Sequence, residues 1–533
     1  MPIQSDGKIK SDPTGLLLGS SSALSPAVNS IGSPGSAGFG VGIAPETALP
    51  PGMVPLYGYT EPTHFNFGNY QYKDGSVMCW VPKYYYKIGT GANGLPANRV
   101  DIAGVQTFAT TALANNAGYA LHRAFIDGGA EKDGFFVDKY IVSKNAWGTG
   151  YIASSIKNGL PLSTNSAHNP IGDLTAVSGA NYYYSALTAA RARSGLNGAV
   201  DANSPFFCTS RFIYAALALL SMAHGQASAN GQFCGWFDAT KNFPKGCNNN
   251  ALADESDATV TYQSDGYSNC AKTGSGNPFA KTTHNGQACG VADLNGLMWE
   301  ISAGLTCIAA SKTITGASKA NPCVITIVGH GYTTGQVAMI TSVGGMTQLN
   351  DKIYTLTSIN ADTFSLNGVD SSAYTDFTTG GSVTVGTFYA AKSATKMRDF
   401  TSGNSAATDH WGATGVAAMM DAFAMPLLAA SGGTAIAQRF GNAANQVLSE
   451  ATSGAGWLLA GLGIQKDSAG ISSAGTNLFG TDYFYEYIRN ELCVISGGIW
   501  NDGSSAGVWC LAVSSARTNS GSSVGFRCAC YPA

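Results

Sequence analysis

The sequence predicts an α+β fold interrupted by an inserted all-β module and preceded by a β-rich attachment region. Three observations lead there. Aromatic and β-branched residues alternate at period two from Tyr57 to Ile88, the pattern of half-buried strands. One stretch, Thr209 to Gln226, carries a strong helical pattern. Short β-branched runs separated by Gly, Asn and Asp turns fill the stretch from about Ala309 to Val385.

A chain of 533 residues implies two to four folding units. Its 44% hydrophobic content is enough for a sizeable core, and this excludes wholesale disorder. Only 11% of residues are charged, against roughly 25% in an average soluble protein, so small hydroxyls and amides must solvate the surface. With Lys+Arg 29 against Asp+Glu 32 and no basic block, the chain is not expected to bind nucleic acid, which needs clustered cations to displace counterions. The longest apolar run near the N-terminus is Leu16-Leu17-Leu18, so no secretory signal is readable. Phe212 to Leu220 is far short of the roughly 20 residues that span a bilayer, and no membrane insertion is expected. The 12 Cys are sparse and irregular, which reads as buried thiols in a protein made in a reducing cytoplasm.

Residues 1–50, rich in Gly, Ser, Ala and Pro, cannot bury enough surface to offset their own chain entropy, and are read as a leader docked on a partner. Residues 51–118 follow as the β-rich attachment region. Phe135 to Ser143 reads as a strand. Thr209 or Ser210 can cap the helix that follows, and Gly225 can end it. The Gly- and Asn-rich segment Gly225–Cys289 reads as long loops, which are usually functional or held by a partner. Within it, Asp254-Glu255-Ser256-Asp257 offers the hard oxygen ligands that calcium takes, although a solvated loop is the preferred reading. The module, taken as residues 308–387, contains His330 between two glycines, where a turn residue is expected.

The last stretch carries the most specific motifs. Gly497-Gly498, Trp500, Ala516-Arg517 and Gly525-Phe526-Arg527-Cys528 stand in order, behind Phe136-Val-Asp-Lys-Tyr140 and Asp293-Leu-Asn-Gly-Leu-Met-Trp-Glu300. These resemble the formylglycine-generating-enzyme branch of the C-type lectin fold. The resemblance covers residues 119–307 and 388–533 and implies a discontinuous C-type-lectin-like domain. The ending is also similar to the variable proteins of diversity-generating retroelements, phage tropism determinants among them. Trp80-Val-Pro-Lys-Tyr-Tyr-Tyr86, the β module and the leader resemble pieces of phage tail fibres.

The resemblance implies a phage virion protein of the tail fibre or tail tip, made in the host bacterial cytoplasm. It would contact other tail proteins, assemble as a homotrimer and recognise a bacterial cell-surface receptor, glycan or protein. A purely structural virion component is the alternative. An oxidase on the same fold is a second, disfavoured because that chemistry needs a cysteine pair where Asp502 and Gly507 stand. No H-E-x-x-H, G-x-S-x-G or phosphate-loop motif is present, so no catalytic residue and no cofactor are expected, calcium at residues 254–257 aside. Arg517 and Arg527 read as buried structural residues, and Trp500 as core. Receptor contact is expected at Asn501, Asp502, Ser504, Ser505, Trp509, Ser514, Ser515, Thr518, Asn519, Ser522 and Ser523. There an exposed Trp509 would be the anchor among small hydrogen-bonding residues.

Overall fold

The computed structural model describes residues 26–227, 250–255, 257–401, 415–428, 438–441, 446–472, 479 and 482–532. The chain is mostly β-sheet, 30% strand against 16% helix in several separate sheets, which overturns the α+β, lectin-like architecture. The physical reason lies in composition. With 67 Gly, each costing about 1 kcal/mol in a helix interior, and abundant Ser and Thr, the chain favours strands and turns. Arg211–Ala227 is the one described helix longer than eight residues.

That helix begins where Ser210 Oγ accepts the Ile213 amide, and it runs through Gly225 instead of stopping there. It is buried on every side from Arg211 to Gly225, so it forms the centre of the core. No described helix is long and apolar enough to cross a membrane.

A six-stranded sheet has the order Met53–Pro55, Asn69–Tyr72, Val77–Pro82, Gly134–Asp138, Cys528–Cys530, Phe206–Cys208. Residues 51–118 are therefore no separate attachment region: Trp80 pairs with Phe136, and Phe136 in turn with Cys530. The expected strand through Tyr57–Phe67 is replaced by turns around Gly58, Pro62 and Gly68, which leave Tyr57 83% and Phe65 60% exposed. The leader, within its described part, docks on its own chain. Phe39, Val41 and Ile43 are buried in the main core, Phe39 stacks on His224 at 5.2 Å, and the Gly42 amide donates to the Trp80 carbonyl.

A seven-stranded sheet gathers Ile471–Ser472, Gln438–Phe440, Tyr483–Glu486, Leu511–Ala516, Leu492–Ser496, Trp299–Ser302 and Val524–Gly525 in that order. The inserted module stands on a ribbon, Leu305–Thr313 against Ser382–Ala391, in continuous antiparallel register from Leu305↔Ala390 to Thr313↔Ser382. Above the ribbon, Ile325, Ile340, Leu356, Phe364 and Val383 form a core cluster of the module's own. His330 is buried in a turn there, its Nδ1 accepting the Tyr332 amide and its Nε2 facing the Asn360 carbonyl.

Two interlocked buried ion pairs fasten the sheets together. Arg527 binds Glu300 through two contacts, one of 2.6 Å, and also donates to the Asp138 and Ala292 carbonyls. Arg193 grips Asp138 bidentately at 2.6 and 2.8 Å.

Candidate functional site

The terminal loop 518–523 is held by two loops distant in sequence, 163–169 and 264–270. Thr164 donates its amide to the Val524 carbonyl and receives the Ser520 hydroxyl on its own carbonyl at 2.6 Å. Asn165 Nδ2 reaches Ser520 Oγ at 3.1 Å. The turn at 264–270 is closed by the Asp265 amide donating to the Cys270 carbonyl, with Gly266 at φ +98, a conformation that favours glycine. Asn269 donates to Asn250 Oδ1, and the Asn250 amide donates to the Trp500 carbonyl, which brings the turn after Trp500 to the same place.

His168 is the pin beneath these loops. Its ring stacks on Tyr267 at 4.1 Å and meets Trp500 edge-on at 6.1 Å. Nδ1 lies 2.6 Å from the Ser522 carbonyl and Nε2 lies 2.6 Å from Asp265 Oδ2, with both side chains fully buried. Cys270 completes a set of three potential ligand atoms within 4.8 Å of one another, the one such group among the described residues. The exposed positions above it (Ser166, Ala167, Gly266, Ser268, Asn501, Thr518 and Ser520) carry no charge. The result is an uncharged surface of amides and hydroxyls fixed on buried anchors.

The eleven expected contact residues divide on this geometry. Asn501 and Thr518 are exposed, and Asn519, Ser522 and Ser523 are half-buried in the terminal loop, where the Ser522 and Ser523 carbonyls already serve His168 and the Trp299 amide. Asp502 turns inward to accept the Ile499 amide, and burial raises its carboxyl above the usual range. Ser504 is half-buried, while Ser505 is buried and accepts from Arg439. Ser514 and Ser515 are half-buried in strand Leu511–Ala516, with Ser515 opposite Cys493.

Trp509 corrects the expectation most sharply: it is 0% exposed, wedged between Phe440 and Phe479 at 5.3 and 5.2 Å, and its amide donates to Asp482. Val508 to Cys510 form a buried turn, closed by the Cys510 amide on the Gly507 carbonyl, and the expected strand begins only at Leu511, so Trp509 points into the core instead of alternating outward along a strand. Trp500, Arg517 and Arg527 are buried. His168, Asp265 and Cys270 were missed because Asp265 lies 97 residues from His168 in sequence and no local spacing links them.

Lys281 Nζ sits 2.5 Å from Asp257 Oδ2, and among the described residues Asp254 and Asp257 belong to no group of three potential ligand atoms. Elsewhere a groove of about 580 Å³ is lined by Lys73, Lys132, Lys396 and Arg398 with Pro50, Pro205 and Tyr531 among its walls. Its two acids are already engaged, Asp127 by the Met397 amide and Asp201 by Ser194 and the Asn203 amide. The ten described cysteines are buried and form no disulfide with one another, Cys510 among them.

Residues 320–385 match the family of the ubiquitin-activating enzyme E1 FCCH domain, so the inserted module is similar to that domain. No curated protein matches the chain.

Proposed function

We propose that the chain is a tail-fibre or tail-tip protein of a phage virion that recognises a bacterial surface receptor through the terminal-loop face. The observation that carries this is the convergence of loops 163–169, 264–270 and 518–523 on His168, which presents an uncharged amide and hydroxyl surface on a rigid base. Loops fixed before contact lose little freedom on binding. The virion assignment rests on the resemblance of the terminal motifs and the aromatic segment to phage tropism and tail-fibre proteins. Other tail proteins and two further copies of the chain are the partners this implies. Binding, not turnover, is the activity: a formylglycine-type oxidase needs thiolates where Asp502 and Gly507 stand.

Adsorption of the full chain to host cells tests the reading. Ser166→Arg, Asn501→Arg and Thr518→Arg each add a long cation at an exposed position of the face. Each should weaken adsorption about tenfold or more, the ~1.4 kcal/mol expected from one or two lost neutral hydrogen bonds, with melting unchanged. Binding at this face should also change little between low and high salt. The cation-lined groove supports a second reading, an anionic receptor bound there, and it predicts the opposite: adsorption that falls steeply with salt and is unaffected by the three arginine variants. Adsorption insensitive to the variants would remove the terminal-loop face as the receptor site.

A further inference from the structure

We propose that His168, Asp265 and Cys270 form a zinc site. It is independent of the receptor reading, because it depends only on the buried anchors of the loops. The Ser522 carbonyl can only accept, so His168 Nδ1 must carry a hydrogen. Nε2 then faces Asp265 Oδ2, and a carboxylate is also an acceptor, at 2.6 Å in a fully buried setting. A positive charge must lie between them. A proton would need those two partners alone. The Cys270 sulfur, within 4.8 Å of both, adds a soft third ligand that a proton does not use. Imidazole, thiolate and carboxylate together suit zinc and are poorly matched to calcium or magnesium.

The surroundings have the form of a metal site's supporting contacts. The Ser522 carbonyl fixes the imidazole tautomer that leaves Nε2 free to ligate, as histidine ligands require. The Tyr267 amide donates to Asp265 Oδ1 at 2.8 Å, and Asn169 Nδ2 donates to Oδ2 at 3.1 Å, which orients the carboxylate. Tetrahedral zinc with bonds near 2.0 Å separates nitrogen and oxygen ligands by about 3.3 Å. Nε2 and Oδ2 therefore open slightly on loading. Loading forms Zn–N, Zn–O and Zn–S bonds, the protons displaced from the ligand atoms passing to solvent, with no change of oxidation state.

The full chain, stripped with chelator and reloaded with zinc alone, should bind one zinc per chain and melt at a higher temperature. Cobalt(II) in its place should give a single-thiolate charge-transfer band in the near ultraviolet. Cys270→Ser should lose that band, and Asp265→Asn should weaken zinc binding at least tenfold. Calorimetry in buffers of different ionisation enthalpy should report proton release on zinc binding. The cobalt spectrum of the unaltered chain reads the site without any substitution, so a variant that fails to fold does not leave the question open. A natively melting chain that takes up no zinc, shows no thiolate band with cobalt, or keeps both properties after Cys270→Ser overturns the proposal, and a proton then holds the pair.

Discussion

At the scale of single residues, buried charge decides more than surface chemistry. Arg527 and Glu300 satisfy each other in the core, and removing one leaves the other buried and unpaired. Arg527→Met should cost about 3–5 kcal/mol in chemical denaturation, and adding Glu300→Leu should recover much of that, since an apolar pair needs no compensation. Trp509→Ala belongs to the same class: it should destabilise by roughly 3–5 kcal/mol and not act as a clean binding variant, because it empties a packed site between Phe440 and Phe479. Asp293 supplies a pH effect. Burial lifts its carboxyl from the ordinary 3.8 to about 7, against the pull of Arg527. A raised carboxyl favours the protonated folded state, so its contribution to stability is full below about pH 4 and is lost as pH rises through about 7. Asp293→Asn should flatten that slope in denaturation midpoints measured from pH 4 to 8. Glu486, lifted by burial to about 8, titrates in an overlapping range and should keep part of the slope.

At the scale of elements, period and turn chemistry were legible, while pairing was not. The strands of the module lie close to the β-branched runs that mark them, because Gly, Asn and Asp turns bound each one. The helix start was legible at Ser210, but its end was not, since Gly225 is tolerated inside a helix buried on every side. Tyr57 to Phe67 has the period of a strand without being one. Pro62 and the glycines at positive φ break the ladder that the aromatics alone suggest. Trp509 shows the same limit at the candidate site: it lies in a buried turn just before strand Leu511–Ala516, and an unbroken apolar run carries no sign of where the strand begins. The module yields an element-scale prediction. Thr313 and Ser382 face each other in register, so a tight turn can replace the residues between them and leave the ribbon intact. The shortened chain should retain a cooperative melting transition; insolubility or its loss would show that the module's core is required by the body.

At the scale of the whole molecule, the chain ties distant segments into single sheets, and composition alone could not reveal this. The leader looked unable to order itself, and its buried Phe39, Val41 and Ile43 are indeed covered by other parts of the same chain. The final strand, Cys528–Cys530, sits inside the six-stranded sheet between Gly134–Asp138 and Phe206–Cys208. Without it, Phe206–Cys208 loses its neighbour in the sheet, and Gly134–Asp138 becomes an open edge with exposed backbone donors and acceptors, a template for aggregation. Ending the chain at Val524 removes in addition the Arg527 guanidinium, leaving Glu300 buried without it. The module keeps a core cluster of its own, and none of its strands belongs to this sheet. A chain ending at Val524 should therefore lose the body's calorimetric transition and retain a smaller one belonging to the module. Two unchanged transitions would mean that the last strand adds nothing to the sheet it divides.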